Sequence, residues 1–65
     1  MFPVGSVTRS RDGTVCLVVA VHDGQVYVRH RTDDGTIDAG YLDPWLLIPG
    51  DDEDSRAEAQ RLGLL

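Results

Sequence analysis

The sequence predicts a mostly-β domain, five short antiparallel strands forming a small barrel, followed by a short C-terminal helix. Three observations carry that expectation. Two segments rich in β-branched residues, 14–22 and 25–32, are separated by Asp23-Gly24, a dipeptide that tolerates positive φ at both central positions of a type I′ turn. Further turn signals at Ser10-Arg11-Asp12-Gly13 and at Asp34-Gly35 divide the chain at short-strand spacing. Beyond Pro49-Gly50 the composition changes, so residues 1–50 are expected to form the barrel and 51–65 an acidic segment with a short helix.

The first strand is expected over Phe2 to Thr8, with Pro3 at its start, where no ladder N–H is needed. The second, Val15 to His22, is apolar on both alternating sets: Val15, Leu17, Val19 and Val21 on one, Cys16, Val18 and Ala20 on the other. Such a strand needs cover on both faces. A two-residue turn at Asp23-Gly24 places Val21 opposite Val26, Val19 opposite Val28 and Leu17 opposite His30 as the core face. Ala20 with Tyr27, Val18 with Arg29, and Cys16 with Arg31 then form the other face.

The next turn admits two registers. A three-residue loop at Asp33–Gly35 puts Ile37, Ala39 and Tyr41 on the arginine face and Asp38 on the core face. A two-residue loop at Asp34-Gly35 sets Asp38 opposite Arg31. Burying an unpaired carboxylate costs several kcal/mol, whereas an exposed cross-strand ion pair gains about 0.2–1 kcal/mol, so the second register is expected. Pro44 interrupts the ladder and presets a 3₁₀ turn before a last short strand at residues 46–48. In the tail, Ser55-Arg56-Ala57-Glu58 fits a capping box, Arg61 sits near the helix end and Gly63 is a stop. A helix of two turns is unstable alone in water, so it is expected to dock through Leu62, Leu64 and Leu65.

Sixty-five residues make one small domain with no room for an interdomain cleft. The net charge of −5 is unevenly placed: residues 1–31 carry four arginines against two aspartates, and residues 32–65 nine carboxylates against two arginines. An acidic chain is repelled on average by a phosphate backbone, although a local arginine face still attracts one. Lys and Asn are absent, which suggests a high-GC coding genome and, with the small size, suits a phage or mobile-element protein. The lone Cys16 excludes an intrachain disulfide and any multi-cysteine zinc site. The N-terminus lacks the pattern of a signal peptide, and the apolar run Val15 to Val21 is far short of the ~20 residues of a membrane helix. A cytoplasmic protein without a membrane partner is the expectation.

The run Phe2-x-x-Gly5-x-Val7, the Gly13 turn, the strand ending at Val21, Gly24-x-Val26-x-Val28, Asp34-Gly35, Pro44 and Leu47 resembles the small bacterial YodC-like proteins. More loosely it is similar to Tudor and KOW modules. The resemblance spans Phe2 to Ile48 and implies a five-stranded SH3-like small barrel. Strand three lacks the tryptophan-containing centre of the YodC-like pattern, and the acidic helical tail is extra. The resemblance implies no defined activity.

Cys16, His22 and His30 are the residues to weigh for a metal. In the expected register His30 points to the core while the other two point away, so neither a metal site nor another cofactor is expected. Cys16 opposite Arg31 would gain thiolate character, but no oxyanion donors accompany it and an enzyme is not expected. Asp51-Asp52-Glu53-Asp54 lacks the spacing and glycine of an EF-hand loop and reads as a helix-start cluster. Tyr27, Arg29 and Arg31, joined by Arg9 or Arg11, form either a solvent face with an Arg31–Asp38 pair or a surface for an acidic protein segment or a nucleic acid. Trp45 either closes the barrel or anchors a partner. The expected function is a non-enzymatic protein-interaction or assembly module, joined to a protein partner or to itself, using Tyr27, Arg29, Arg31, Trp45, Leu62, Leu64 and Leu65. The alternative is a nucleic-acid-binding accessory protein using the arginine and tyrosine face.

Overall fold

A computed structural model describes residues 2–65. The chain runs β1 (Val7–Ser10), β2 (Val15–His22), β3 (Gln25–Arg31), β4 (Ile37–Leu42), a 3₁₀ turn (Pro44–Leu46), β5 (Leu47–Pro49) and α1 (Glu53–Arg61). The strands form one antiparallel sheet in the order β4-β3-β2-β1-β5, and its two edges, β4 and β5, share no ladder. Among the described residues no helix is long and apolar enough to cross a membrane.

The β2–β3 turn forms as its residues require, with Asp23 at φ 50° and Gly24 at φ 76°. Val21 pairs with Val26 and Ala20 with Tyr27, as expected. A bulge between Val18 and Ala20 then shifts the register, so that Val18 faces Val28, Leu17 faces Arg29 and Cys16 faces His30. One extra residue exchanges the two faces of a strand. The sequence carries no penalty against that exchange, because both sets of β2 are apolar and both are covered in the fold.

The β3–β4 loop also departs from expectation. It holds three residues, Asp33–Gly35, closed by Thr32 N–H to Thr36 O at 2.7 Å, with Gly35 at φ 89°. Arg31 therefore faces Ile37 and His30 faces Asp38. The feared desolvation does not arise, because β4 is an edge and Asp38 stays exposed. The loop is fastened instead by Asp34, whose carboxylate accepts the Thr36 N–H at 3.1 Å and the hydroxyls of Thr32 and Thr36. Those bonds, led by the Thr32 hydroxyl, hold its pKa down at about 2. Ser10 to Thr14 repeats the device: Gly13 has φ 94°, and Asp12 accepts the Ser10 hydroxyl and the Thr14 N–H and likewise titrates at about 2.

β1 begins at Val7 and not at Phe2, because Ser6 N–H bonds back to Pro3 O at 3.0 Å and Gly5 turns at φ 89°. The 3₁₀ turn falls at Pro44 as expected, and β5 follows it. α1 starts earlier than the Ser55 capping box implied. Asp52 is the N-cap, accepting the Ser55 N–H at 2.7 Å, while Ser55 is buried and Glu58 pairs with Arg9. At the other end Gly63, at φ 80°, completes a Schellman motif, with Leu64 N–H to Ala59 O at 2.9 Å and Gly63 N–H to Gln60 O at 3.1 Å.

That motif folds Leu64 back onto the sheet. Leu64 and Ala59 pack with Val7, Val15 and Leu17, flanked by Val19 and Leu62. The opposite face of the sheet buries Cys16, Val18, Val26, Val28 and Leu47, flanked by Phe2 and Leu42. The docking expected of the tail thus comes from Ala59 and Leu64 with help from Leu62, while Leu65 remains exposed.

Candidate interaction surface

The registers assign one outer face to all the strands. Val7 and Arg9 of β1, Val15 and Leu17 of β2, Arg29 and Arg31 of β3, and Ile37 and Ala39 of β4 share it, with Tyr27 and Tyr41 directly paired beyond them. α1 packs on the β1–β2 half, and its C-terminal turn reaches β3 and β4 at Arg31 and Ile37. Over the rest of β3 and β4 the face is left without helix cover.

Three arginines expected on a common basic patch have other roles. Arg9 donates to Gly13 O at 3.1 Å and to the Glu58 carboxylate at 2.9 Å, tying the first turn to α1. Arg31 donates to Leu62 O at 2.8 Å, satisfying a carbonyl at the helix end where a cation is favoured. The expected Arg31–Asp38 pair does not form, since the three-residue loop sets these side chains on opposite faces. Arg11 donates from Nε to Trp45 O at 3.0 Å. At the helix start Arg56 pairs with Asp51 at 2.7 Å, and Asp51 also accepts the Val7 N–H at 3.1 Å. Those contacts, Arg56 first, lower the Asp51 pKa.

Arg29 makes no side-chain hydrogen bond or ion pair among the described residues. It stands beside a pair of tyrosines whose ring centroids lie 4.7 Å apart at a 53° tilt, Tyr27 of β3 and Tyr41 of β4. The tilted arrangement suits the ring quadrupoles. Tyr41 keeps 52% of its surface exposed and Ile37 43%, so an aromatic and an aliphatic side chain sit open to solvent on either side of the exposed Ala39.

The chain matches no known protein family, no curated protein and no solved structure. The site therefore rests on its own geometry.

Of the residues singled out from sequence, Tyr27 and Arg29 come together, and Arg31 is drawn to the helix. Leu64 is 2% exposed and Leu62 half-buried, so both serve the protein's own packing. Trp45 is 65% exposed on the 3₁₀ turn, which corrects the reading that it closes the barrel. Tyr41 and Ile37 were missed for this surface. The three-residue loop was their signal, since that register alone places them on the arginine face.

The inner face corrects another expectation. Cys16 and His30 do not diverge: the bulge sets them directly opposite each other, and Asp38 lies across from His30 on the far side. His30 and Leu42 line two adjoining hollows of about 210 and about 150 Å³. The row is not arranged for nucleophilic chemistry. Burial pushes the Cys16 thiol up, reversing the effect expected of a neighbouring Arg31, and its Sγ is directed at Thr14 O at 3.6 Å. Among the described residues no three His, Cys, Asp or Glu side chains are gathered as cation ligands.

Proposed function

We propose that this chain is a small non-enzymatic protein-interaction or assembly module, built on a sheet that curls as an SH3-like small barrel. The strand order β4-β3-β2-β1-β5 and the 3₁₀ turn before β5 support the barrel reading. One observation carries the function: exposed Tyr41 and Ile37, beside half-buried Tyr27 and Arg29, lie on a sheet face whose other half is sealed by α1. Aromatic side chains with an arginine beside them are the residue types that anchor protein contacts.

The competing nucleic-acid reading needs a convergent set of cations on this face. Arg9 and Arg31 are bonded within the fold, and the chain carries −5 overall, so Arg29 meets a phosphate backbone with little help. It predicts salt-sensitive binding lost in Arg29→Glu, and no mobility shift at low salt removes it.

The protein-interaction reading is tested by a photo-activated cross-linking residue placed at Tyr41 or, separately, at the exposed Gln60 of α1, in extract of the cells that express the protein. Specific protein adducts are expected at position 41, diminished by Arg29→Ala, and not at position 60. No adduct at 41, or equal labelling from both positions, overturns it.

A further inference from the structure

β4 is an edge strand of six residues, Ile37-Asp38-Ala39-Gly40-Tyr41-Leu42, with no proline, no lysine and a single charge. Edges of that kind are templates for another strand. The opposite edge, β5, is only three residues long and ends in Pro49. The Thr32 N–H to Thr36 O bond sets the phase of the β3–β4 ladder, so even-numbered residues of β4 face β3. The main-chain N–H and C=O groups of Ile37, Ala39 and Tyr41 therefore point to the free edge, on the residues whose side chains lie on the bare outer face.

Resting on the protein-interaction reading above, we infer that the partner is a second copy of this chain, joined edge to edge through antiparallel β4 strands about a two-fold axis at Gly40. Such an axis, perpendicular to the sheet, keeps outer face with outer face. Ala39 and Tyr41 of each copy then exchange main-chain hydrogen bonds with Tyr41 and Ala39 of the other. The small Ala39 side chain leaves space for the facing tyrosine ring. The two Tyr41 rings become diagonal neighbours, within reach of each other, and each Tyr27 extends the cluster.

Charge selects this axis over the neighbouring one. Arg29 is the cross-strand neighbour of Ala39, so the incoming Tyr41 ring brings its negative face to a guanidinium that pairs with no carboxylate among the described residues. An axis at Ala39 would instead make the two Asp38 side chains diagonal neighbours on the inner face, where like charges repel. The Gly40 axis separates them by four residues along the strands, roughly 13 Å. The contact is small, which places it among weak, concentration-dependent associations.

Sedimentation equilibrium over about 10 µM to about 1 mM subunit, the range of a weak contact, tests the inference. The mass is expected to rise from 7.1 kDa towards twice that value. Tyr41→Glu is expected to hold it at the monomer. Adding Ala39→Lys is expected to restore association, because the introduced lysine of each copy then faces the introduced glutamate of the other. Circular dichroism confirms that each variant is folded. A wild-type chain that stays monomeric at every concentration overturns the self-pairing, as does a dimer insensitive to Tyr41→Glu. A double variant that remains monomeric overturns the Gly40 axis, since about Ala39 the two lysines would face each other. If the chain is monomeric yet the cross-linker at position 41 captures a different protein, self-pairing fails and the interaction function stands. Monomer without any adduct removes both.

Discussion

The outer face of this sheet is one continuous surface used in two ways. Over β1 and β2 it is sealed by α1, through Ala59 and Leu64, and fastened by Arg9 to Glu58 and Arg31 to Leu62 O. Over β3 and β4 it carries Ile37 and Tyr41 in the open beside half-buried Tyr27 and Arg29. Both halves hold large side chains and arginines, so composition does not distinguish them. What distinguishes them is reach: α1 spans nine residues and its Schellman turn returns Leu64 to β1 and β2. Arg31, at the end of β3, links the halves from the exposed side.

The comparison breaks most readily at Leu64. Leu64→Ala is expected to cost about 2–5 kcal/mol, because a side chain 2% exposed leaves a cavity under the helix end. Chemical denaturation measures it, and a loss below about 1 kcal/mol would mean that α1 does not seal this half. Thr8→Val acts in the opposite direction. The Thr8 hydroxyl is buried on the inner face with no hydrogen-bond partner among the described residues, and removing it in an isosteric side chain should add about 1 kcal/mol of stability. A destabilised valine variant would show that the hydroxyl is satisfied.

Arg31→Ala removes the bond to Leu62 O and should cost about 0.5–1 kcal/mol, with faster amide exchange at Gly63 and Leu64 than elsewhere in α1. Exchange changed evenly along the chain would contradict a local role. Acid compares the two Asp-Gly loops, one in each half. Asp12 and Asp34 titrate at about 2, below the ordinary 3.8, so their contribution is complete above pH 3.8 and lost as pH falls towards 2. The amide resonances of Thr14 and Thr36 should titrate together in that window. A midpoint near 4 at either loop would show that its carboxylate bonds are not kept in solution.

Much of this architecture is legible in the sequence wherever one residue type meets one backbone need. Asp23-Gly24, the full span of β2, the Pro44 turn and the Gly63 stop belong to that group. Register is less legible. β2 is apolar on both sets, so a bulge near Val19 costs nothing that a pattern can register. Asp38 argues for the two-residue loop only if β4 is covered on both faces, and the sequence does not mark β4 as an edge that leaves Asp38 in solvent. Ser55 resembles an N-cap, yet Asp52 offers the same chemistry three residues earlier and frees Ser55 to be buried. The candidate surface inherits those limits. Tyr27 and Arg29 could be named from β3 alone, whereas Tyr41 and Ile37 join them only when the β3–β4 register is correct.

Thermal unfolding of Tyr41→Lys beside Leu64→Ala tests the division of the outer face most directly. With Tyr41 on an open surface, its replacement loses only the Tyr27 ring contact and should cost about 0.5–1.5 kcal/mol, while Leu64→Ala, at about 2–5 kcal/mol, moves the midpoint further. A Tyr41→Lys chain as destabilised as Leu64→Ala would place that face in the folding core and leave no bare half to bind a partner.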